Sequence, residues 1–216
     1  MAHPKGGYKN AAGRRIPGTT TIIGRFKDSG ALLWWAFGQG KSAERGEIES
    51  LYDKRDEAAD IGTQVHEWVE NHIRGKDASP TNIPEVQSGI DAYLKWESMS
   101  KLKVIEQEMN LVSEVHQFGG TPDAIGEIDG ELCLIDWKTS KGVYQDMLIQ
   151  LAAYRLLWHE NYPDRPLLGG SHLCKFSKEH GDFSHHYWPN LDDAERQFIL
   201  FREAYELDKG LKKRAS

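Results

Sequence analysis

Three side chains near the middle of the chain are of types and spacings that could do chemistry: Asp123, Asp136 and Lys138. Asp123 ends a glycine-rich approach, Gly119-Gly120-Thr121-Pro122, and Asp136 and Lys138 close an apolar run that begins at Leu132. Between them, Asp129-Gly130 is a hairpin signal flanked by β-prone residues. Strand side chains alternate, so Asp136 and Lys138 share a face with Leu134, while Cys133, Ile135 and Trp137 take the other. A carboxylate and an ammonium at the end of a buried strand are costly unless they pair or bind something. Two carboxylates meeting at adjacent strand ends offer hard oxygen ligands to Mg²⁺ or Mn²⁺, and the backbone carbonyl of Trp137 is placed to add another. Such an ion lowers the pKa of a bound water and offsets phosphoryl charge, with Lys138 to hold that water and steady the transition state. This is the chemistry of phosphodiester hydrolysis. A plain ion pair of Lys138 with Asp123 or Asp136 fits the same three residues.

The elements that must position these groups follow from periodicity. Residues 1–15 are polar and glycine-rich and read as flexible or loosely attached. Thr19 to Ile23 is β-prone, and Ala31 to Phe37 is apolar enough to dock on a core as helix, with core packing the better reading for Trp34 and Trp35. Gly38 to Ser42 is similar to the end of a phosphate-binding loop, but that motif wants a glycine where Trp35 stands and a strand before it. Ser42 to Arg74 reads as helix; Ile61, Val65, Trp68, Val69 and Ile73 make its apolar stripe, with His66 at the margin. After a turn-rich linker from Asp77, Pro84 to about Leu102 is another helix. Lys103 to Val115 reads as one strand containing Glu108, followed by the hairpin. Tyr144 to Glu160 is apolar nearly all round, a buried helix on which Gln150 and Tyr154 project together. Ser171 to Ser177 and Asp182 to Trp188 are further strands, and Asp192 to Leu207 a last helix. The expected architecture is a single α/β domain over 1–216, a mixed sheet with helices on its faces.

Bulk properties narrow the function classes. The chain has 216 residues, 39% hydrophobic and 10% aromatic, which suits a globular protein with a real core. Its net charge of -6 supplies no global positive field for nucleic acid. Local basic strips exist at Arg14-Arg15 and Lys209 to Arg214, each by itself best read as a solvated end. Arg14 and Arg15, with the tryptophan pair, are nonetheless candidates to meet a single strand by charge and stacking. Two cysteines, Cys133 and Cys174, cannot build a four-cysteine cluster or a disulfide framework. No leader-like or spanning apolar run is evident, so a cytoplasmic setting without membrane contact is expected. The histidines at 172, 180, 185 and 186 read as an exposed polar edge rather than a second metal site.

Pro122-Asp123, twelve residues, then Asp136-Trp137-Lys138 resembles the PD-(D/E)XK nuclease signature. Gly62-Thr63-Gln64-Val65-His66, Gly120-Thr121-Pro122-Asp123, Ile135 to Ser140 and Gln150-Leu-Ala-Ala-Tyr154 resemble, in order, the motifs of its RecB-like exonuclease branch. Pro17 to Ile23 with Trp34-Trp35 is similar to the opening of the phage and mitochondrial members. The resemblance covers about residues 14–160 and implies a restriction-endonuclease-like core, with the catalytic region at about 42–160. It implies a metal-dependent DNA exonuclease acting on single strands or DNA ends in replication, repair or recombination, with Mg²⁺ or Mn²⁺ and no iron–sulfur cluster. Asp123, Asp136 and Lys138 would be catalytic, with His66 joining Asp123, Asp136 and the Trp137 carbonyl as a metal ligand. Gln150 and Tyr154 would contact the strand or buttress the site, Thr139 and Ser140 would meet substrate, and Glu108 would support the carboxylates from behind. A monomer is favoured. The alternatives are a ring-forming duplex exonuclease of phage recombination and a non-catalytic scaffold that binds DNA ends.

Overall fold

The computed structural model describes residues 4, 6–27, 30–47, 51–76 and 79–215, the side chains of residues 31, 32, 35 and 51–58 excepted. Its centre is a five-stranded sheet built from β1 (Lys103–Gln107), β4 (Ala124–Ile128), β5 (Glu131–Lys138), β6 (Ser171–Phe176) and β7 (Phe183–Trp188), side by side in that order. All neighbours are antiparallel except β5 and β6. A parallel pair needs a long crossover, and α5 (Gln145–Asn161) supplies it. The fold is therefore mixed α/β with helices on both faces, consistent with a restriction-endonuclease-like core.

β5 shows the alternation expected of it. Leu134 packs with Ile125 and Leu173 under α5, alongside Tyr154, Leu157 and Trp158. Cys133, Ile135 and Trp137 join Val65 and Val69 of α3 (Leu51–Ile73) and Val86, Ile90, Tyr93 and Trp96 of α4 (Pro84–Ser100) on the other face. Burial on both sides explains why the strand is apolar until its last residues. α6 (Asp192–Ala215) lies beyond α5, with Phe198 packed on Phe118 at 4.6 Å between ring centres.

Several elements differ from the sequence expectation. The β-prone Thr19 to Ile23 is helical, α1 (Thr19–Phe26), because Ile22 and Ile23 gain burial against the core on one helical face, which overrides a weak local propensity. The helix expected over 42–74 is two: α2 (Gly30–Glu44) ends before Gly46, whose φ of +70° breaks it, and α3 follows. The single strand expected over 103–115 also divides. Glu108 adopts φ +53°, turning the chain out of the sheet, so β2 (Leu111–Ser113) pairs instead with β3 (Phe118–Gly120) in a separate ribbon. α2 is not docked over its whole surface: Leu33, Trp34 and Phe37 are exposed, and the side chain of Trp35 lies outside the described residues. α6 runs two turns past Leu207. No described helix is long and apolar enough to cross a membrane.

Candidate active site

The hairpin register sets the geometry of the site. Ala124 pairs with Ile135, so Asp123, one residue before β4, falls beside Asp136 near the end of β5. Both side chains are 1% exposed. Asp123 accepts a 2.8 Å hydrogen bond on Oδ2 from the Trp137 backbone N–H, which holds its carboxylate against the neighbouring strand. Lys138 forms an ion pair with Asp136 Oδ2. Apart from that pair neither Asp136 oxygen has a hydrogen-bond partner, nor does Asp123 Oδ1. Buried carboxylate oxygens left this way are rare and costly in native proteins.

His66 approaches from α3, its Nδ1 3.9 Å from Asp123 Oδ2. Gly62, one turn earlier, lets α3 come close: a Cβ there would lie 2.9 Å from Thr139 Oγ1. The backbone of Trp137 lies beside the His66 ring and slightly opposes the lowering of its pKa. Burial, reinforced by the nearby Lys138, lowers the His66 pKa to about 4. The ring is therefore neutral near pH 7, and its contact with Asp123 is that of a dipole, not a salt bridge.

Burial raises both carboxylates. Asp136 is pushed up to about 6 by desolvation and by the charge of Asp123, with Lys138 pulling the other way. Asp123 is raised by desolvation against the opposing pull of Lys138 and the Trp137 N–H. For Lys138, burial favours loss of the proton, but Asp136 and Asp123 outweigh it and keep the ammonium charged. One ammonium thus serves two buried acids, and the cluster retains an affinity for further positive charge.

The remaining predicted residues divide by position. On α5, Gln150 Nε2 donates to the Tyr154 hydroxyl at 2.8 Å. Tyr154 is 1% exposed, with its proton held well above the ordinary range by burial and by the field of Asp136. It stands behind the carboxylates, out of reach of a strand in solvent, whereas Gln150 reaches a small cavity of about 190 Å³ with Thr20, Lys27 and Asp146. Thr139 and Ser140 continue from the strand end, half-buried, Ser140 donating to the Gly142 carbonyl at 2.7 Å. Glu108 lies at the turn after β1, its N–H donating to the Asp123 carbonyl. It supports the hairpin through its backbone, at a turn rather than inside a strand. Arg14 is directed at Gln117 Oε1 at 3.0 Å, while Arg15 lines an open groove with Tyr8 and Lys209.

Sequence reasoning missed the part played by the first residues. From Tyr8 onward the stretch expected to be loose is tied down. Tyr8 is 7% exposed and its hydroxyl hydrogen-bonds Thr121 Oγ1 at 2.8 Å. The ring lies on Gly119, where a Cβ would stand 2.3 Å from it. Gly119 N–H donates to the Pro17 carbonyl, and Thr19 Oγ1 to the Gly119 carbonyl. Gly120 in turn leaves room for Thr19 and Tyr154. The Gly-Gly pair was visible in the sequence, but not what fills the space it leaves. Lys178, whose pKa burial lowers, comes near Gly62 and Thr139 and was also overlooked.

Among the described residues no three His, Cys, Asp or Glu side chains stand together as a ready cage for a metal. The donor set is instead two buried carboxylates with unpartnered oxygens and a nearby neutral imidazole. That fits Mg²⁺ or Mn²⁺, ions often held through one or two carboxylates while keeping several waters.

The chain matches no known protein-family model and no curated protein. Among solved structures it is similar to one described as "Putative exonuclease" from Eubacterium rectale, at 12% identity and TM-score 0.47, over 67% of this chain and 64% of that one. The similarity thus spans less than two thirds of that protein. It is also similar to the protein SSO0001, at 17% identity and TM-score 0.33, over 51% of this chain and 52% of that one.

Proposed function

We propose that this protein is a divalent-metal-dependent DNA exonuclease that acts on single strands or strand ends. The observation that carries the reading is the pair Asp123, just before β4, and Asp136, on the neighbouring β5, both buried with unpartnered oxygens and with Lys138 two residues along β5. An ordinary buried ion pair would leave no carboxylate oxygen unsatisfied. Asp123 and Asp136 would hold Mg²⁺ or Mn²⁺, with His66 or the Trp137 carbonyl available beside them. When bound, the ion would supply a more acidic water and offset phosphoryl charge.

The protein's own groups do the rest. Lys138, kept charged by the two acids, orients the attacking water and faces the charge that develops on the phosphoryl oxygens. Trp137 N–H fixes one Asp123 oxygen, so the other keeps a set direction. Tyr154, held by Gln150, excludes solvent behind Asp136 and preserves the low-polarity setting in which these charges act strongly.

A time course on single strands labelled separately at each end, with Mn²⁺ and with EDTA, tests the proposal. Stepwise shortening from one labelled end, abolished by EDTA, is expected; full cleavage in EDTA would overturn it. Linear and circular substrates of both strandedness, with a mass measurement in solution, separate the favoured monomer from a ring that requires duplex ends. Metal binding without cleavage of any substrate would identify a scaffold instead.

A further inference from the structure

The two basic strips that looked unrelated in the sequence, one before α1 and one at the end of α6, come together in space. An open groove of about 470 Å³ is lined by Arg25, Tyr205, Asp208, Lys209, Lys212 and Lys213. A second, of about 390 Å³, shares Tyr205 and Lys209 with it and adds Arg15, Tyr8 and Thr20. Thr20 also lines the small cavity that reaches Gln150, and Gln150 is bonded to Tyr154 behind the carboxylates. The three recesses are linked by shared residues from the end of α6 to the edge of the active site.

Helical spacing explains the first groove. Residues 205, 209, 212 and 213 fall on one face of α6, and α1 lies against it with Phe26 stacked on Phe201 at 5.1 Å. Arg25 and Lys212 both contact Asp208, among the described residues the only carboxylate lining either groove. Five cations against one acid is a strong local excess on a chain whose net charge is -6. Lys209, Lys212, Lys213, Arg15 and Arg25 are exposed, so their charge reaches solvent. A basic stripe along one helix with an aromatic ring among the cations is the footprint of a nucleic-acid strand.

We propose that the α1–α6 groove is a phosphate-backbone track that holds the single-stranded part of the substrate several nucleotides from the cleaved bond. From Tyr205 to Lys213 the helix covers about 12 Å, room for about two successive phosphates of an extended strand. Tyr205, half-buried, lines both grooves and joins them. The track rests on the nuclease reading for the identity of its ligand, and it predicts that the enzyme discriminates by strand length as well as by chemistry.

The test is binding of a labelled single strand of about 20 nucleotides by fluorescence anisotropy in EDTA, across a salt series. The variant carries Lys209→Gln, Lys212→Gln, Lys213→Gln and Arg15→Gln; these are exposed positions, and circular dichroism checks that it folds. Its Kd should rise at least tenfold, and the slope of log K against log salt should shrink by about 0.7 for each contact removed. A control with Lys101→Gln and Lys103→Gln, which pair with Asp129 and Glu127 at the far end of the sheet, should bind as wild type. Unchanged affinity and slope in the fourfold variant, or an equal loss in the control, would overturn the track. So would competition by polyglutamate of matched charge as effective as competition by the strand. A wild type that binds but never cleaves would defeat the nuclease reading and leave the track, whereas cleavage of long strands undiminished in the fourfold variant would defeat the track alone.

Discussion

Two buried polar positions lie on adjacent strands of the same sheet and are handled in opposite ways. His172 on β6 pairs in register with Ile135, one residue from Asp136 on β5. His172 is 7% exposed and Asp136 1% exposed. At His172 both ring nitrogens are engaged, one with His185 at 2.8 Å and the other with the Gly169 carbonyl at 3.0 Å. Trp96 Nε1 then donates to the far nitrogen of His185 at 3.3 Å, completing a chain in which each donor has an acceptor. At Asp136 and Asp123 the carboxylates share one lysine and leave oxygens without partners. Burial of a titratable group is common to both. Incomplete satisfaction of charged groups distinguishes the site, since the other buried atoms without partners among the described residues, Gln107 Oε1, Trp137 Nε1 and Ser171 Oγ, are neutral; it marks a place where a ligand gains what the protein forgoes.

The comparison is broken most directly by Asp136→Asn. Cleavage should fall at least about a thousandfold, while the far-ultraviolet circular dichroism stays that of wild type. If activity survives, the unsatisfied pair is not catalytic. A smaller effect concerns acidity. Asp136 has a folded pKa raised to about 6, so protons compete with a metal there below pH 6. Stabilisation by Mn²⁺, read as a rise in Tm, should correspond to an affinity that falls about fivefold from pH 6 to 5 and levels off above 7. The opposite sign holds for His66 and His172, whose pKa values burial lowers. Their contribution to stability is present above the unfolded value near 6.5 and is lost as the pH falls below it. Without added metal, Asp136 alone therefore favours the folded state more at pH 4 than at pH 7, while the two histidines disfavour it there. The smallest effect belongs to His172→Leu, which leaves the Gly169 carbonyl and the facing His185 nitrogen unpaired and should cost about 2 kcal/mol in urea unfolding. The Tm response to Mn²⁺ should be unaltered; a lost response would tie the satisfied chain to the site after all.

The centre of the site was legible in the sequence because strand alternation and the hairpin signal act over a few residues. That placed Leu134, Asp136 and Lys138 on one face and Trp137 on the other; in the fold Leu134 packs under α5 and Trp137 against α3 and α4. Gln150 and Tyr154 were legible as a pair for the same local reason. Elements decided by distant packing were not. Thr19 to Ile23 has β-prone side chains, and only the core that receives Ile22 and Ile23 makes it a helix. Residues 103–115 carry β-prone apolar side chains on both sides of Glu108, which gives no sign of the left-handed turn there. The convergence of Arg15 with Lys209 depends on α6 packing across α1, which neither strip encodes by itself.

The clasp of Tyr8 on Gly119 has a consequence for the order in which the molecule is made. The Tyr8–Thr121 hydrogen bond joins residues 113 apart in the chain. At about 5–20 residues per second of synthesis, the tyrosine waits on the order of ten seconds before its glycine seat exists. Closing so long a loop is slow compared with forming the helices between. The residues around Tyr8 are thus made well before they can be placed, and a nascent chain holds its paired acids beside a hairpin that still lacks its clasp.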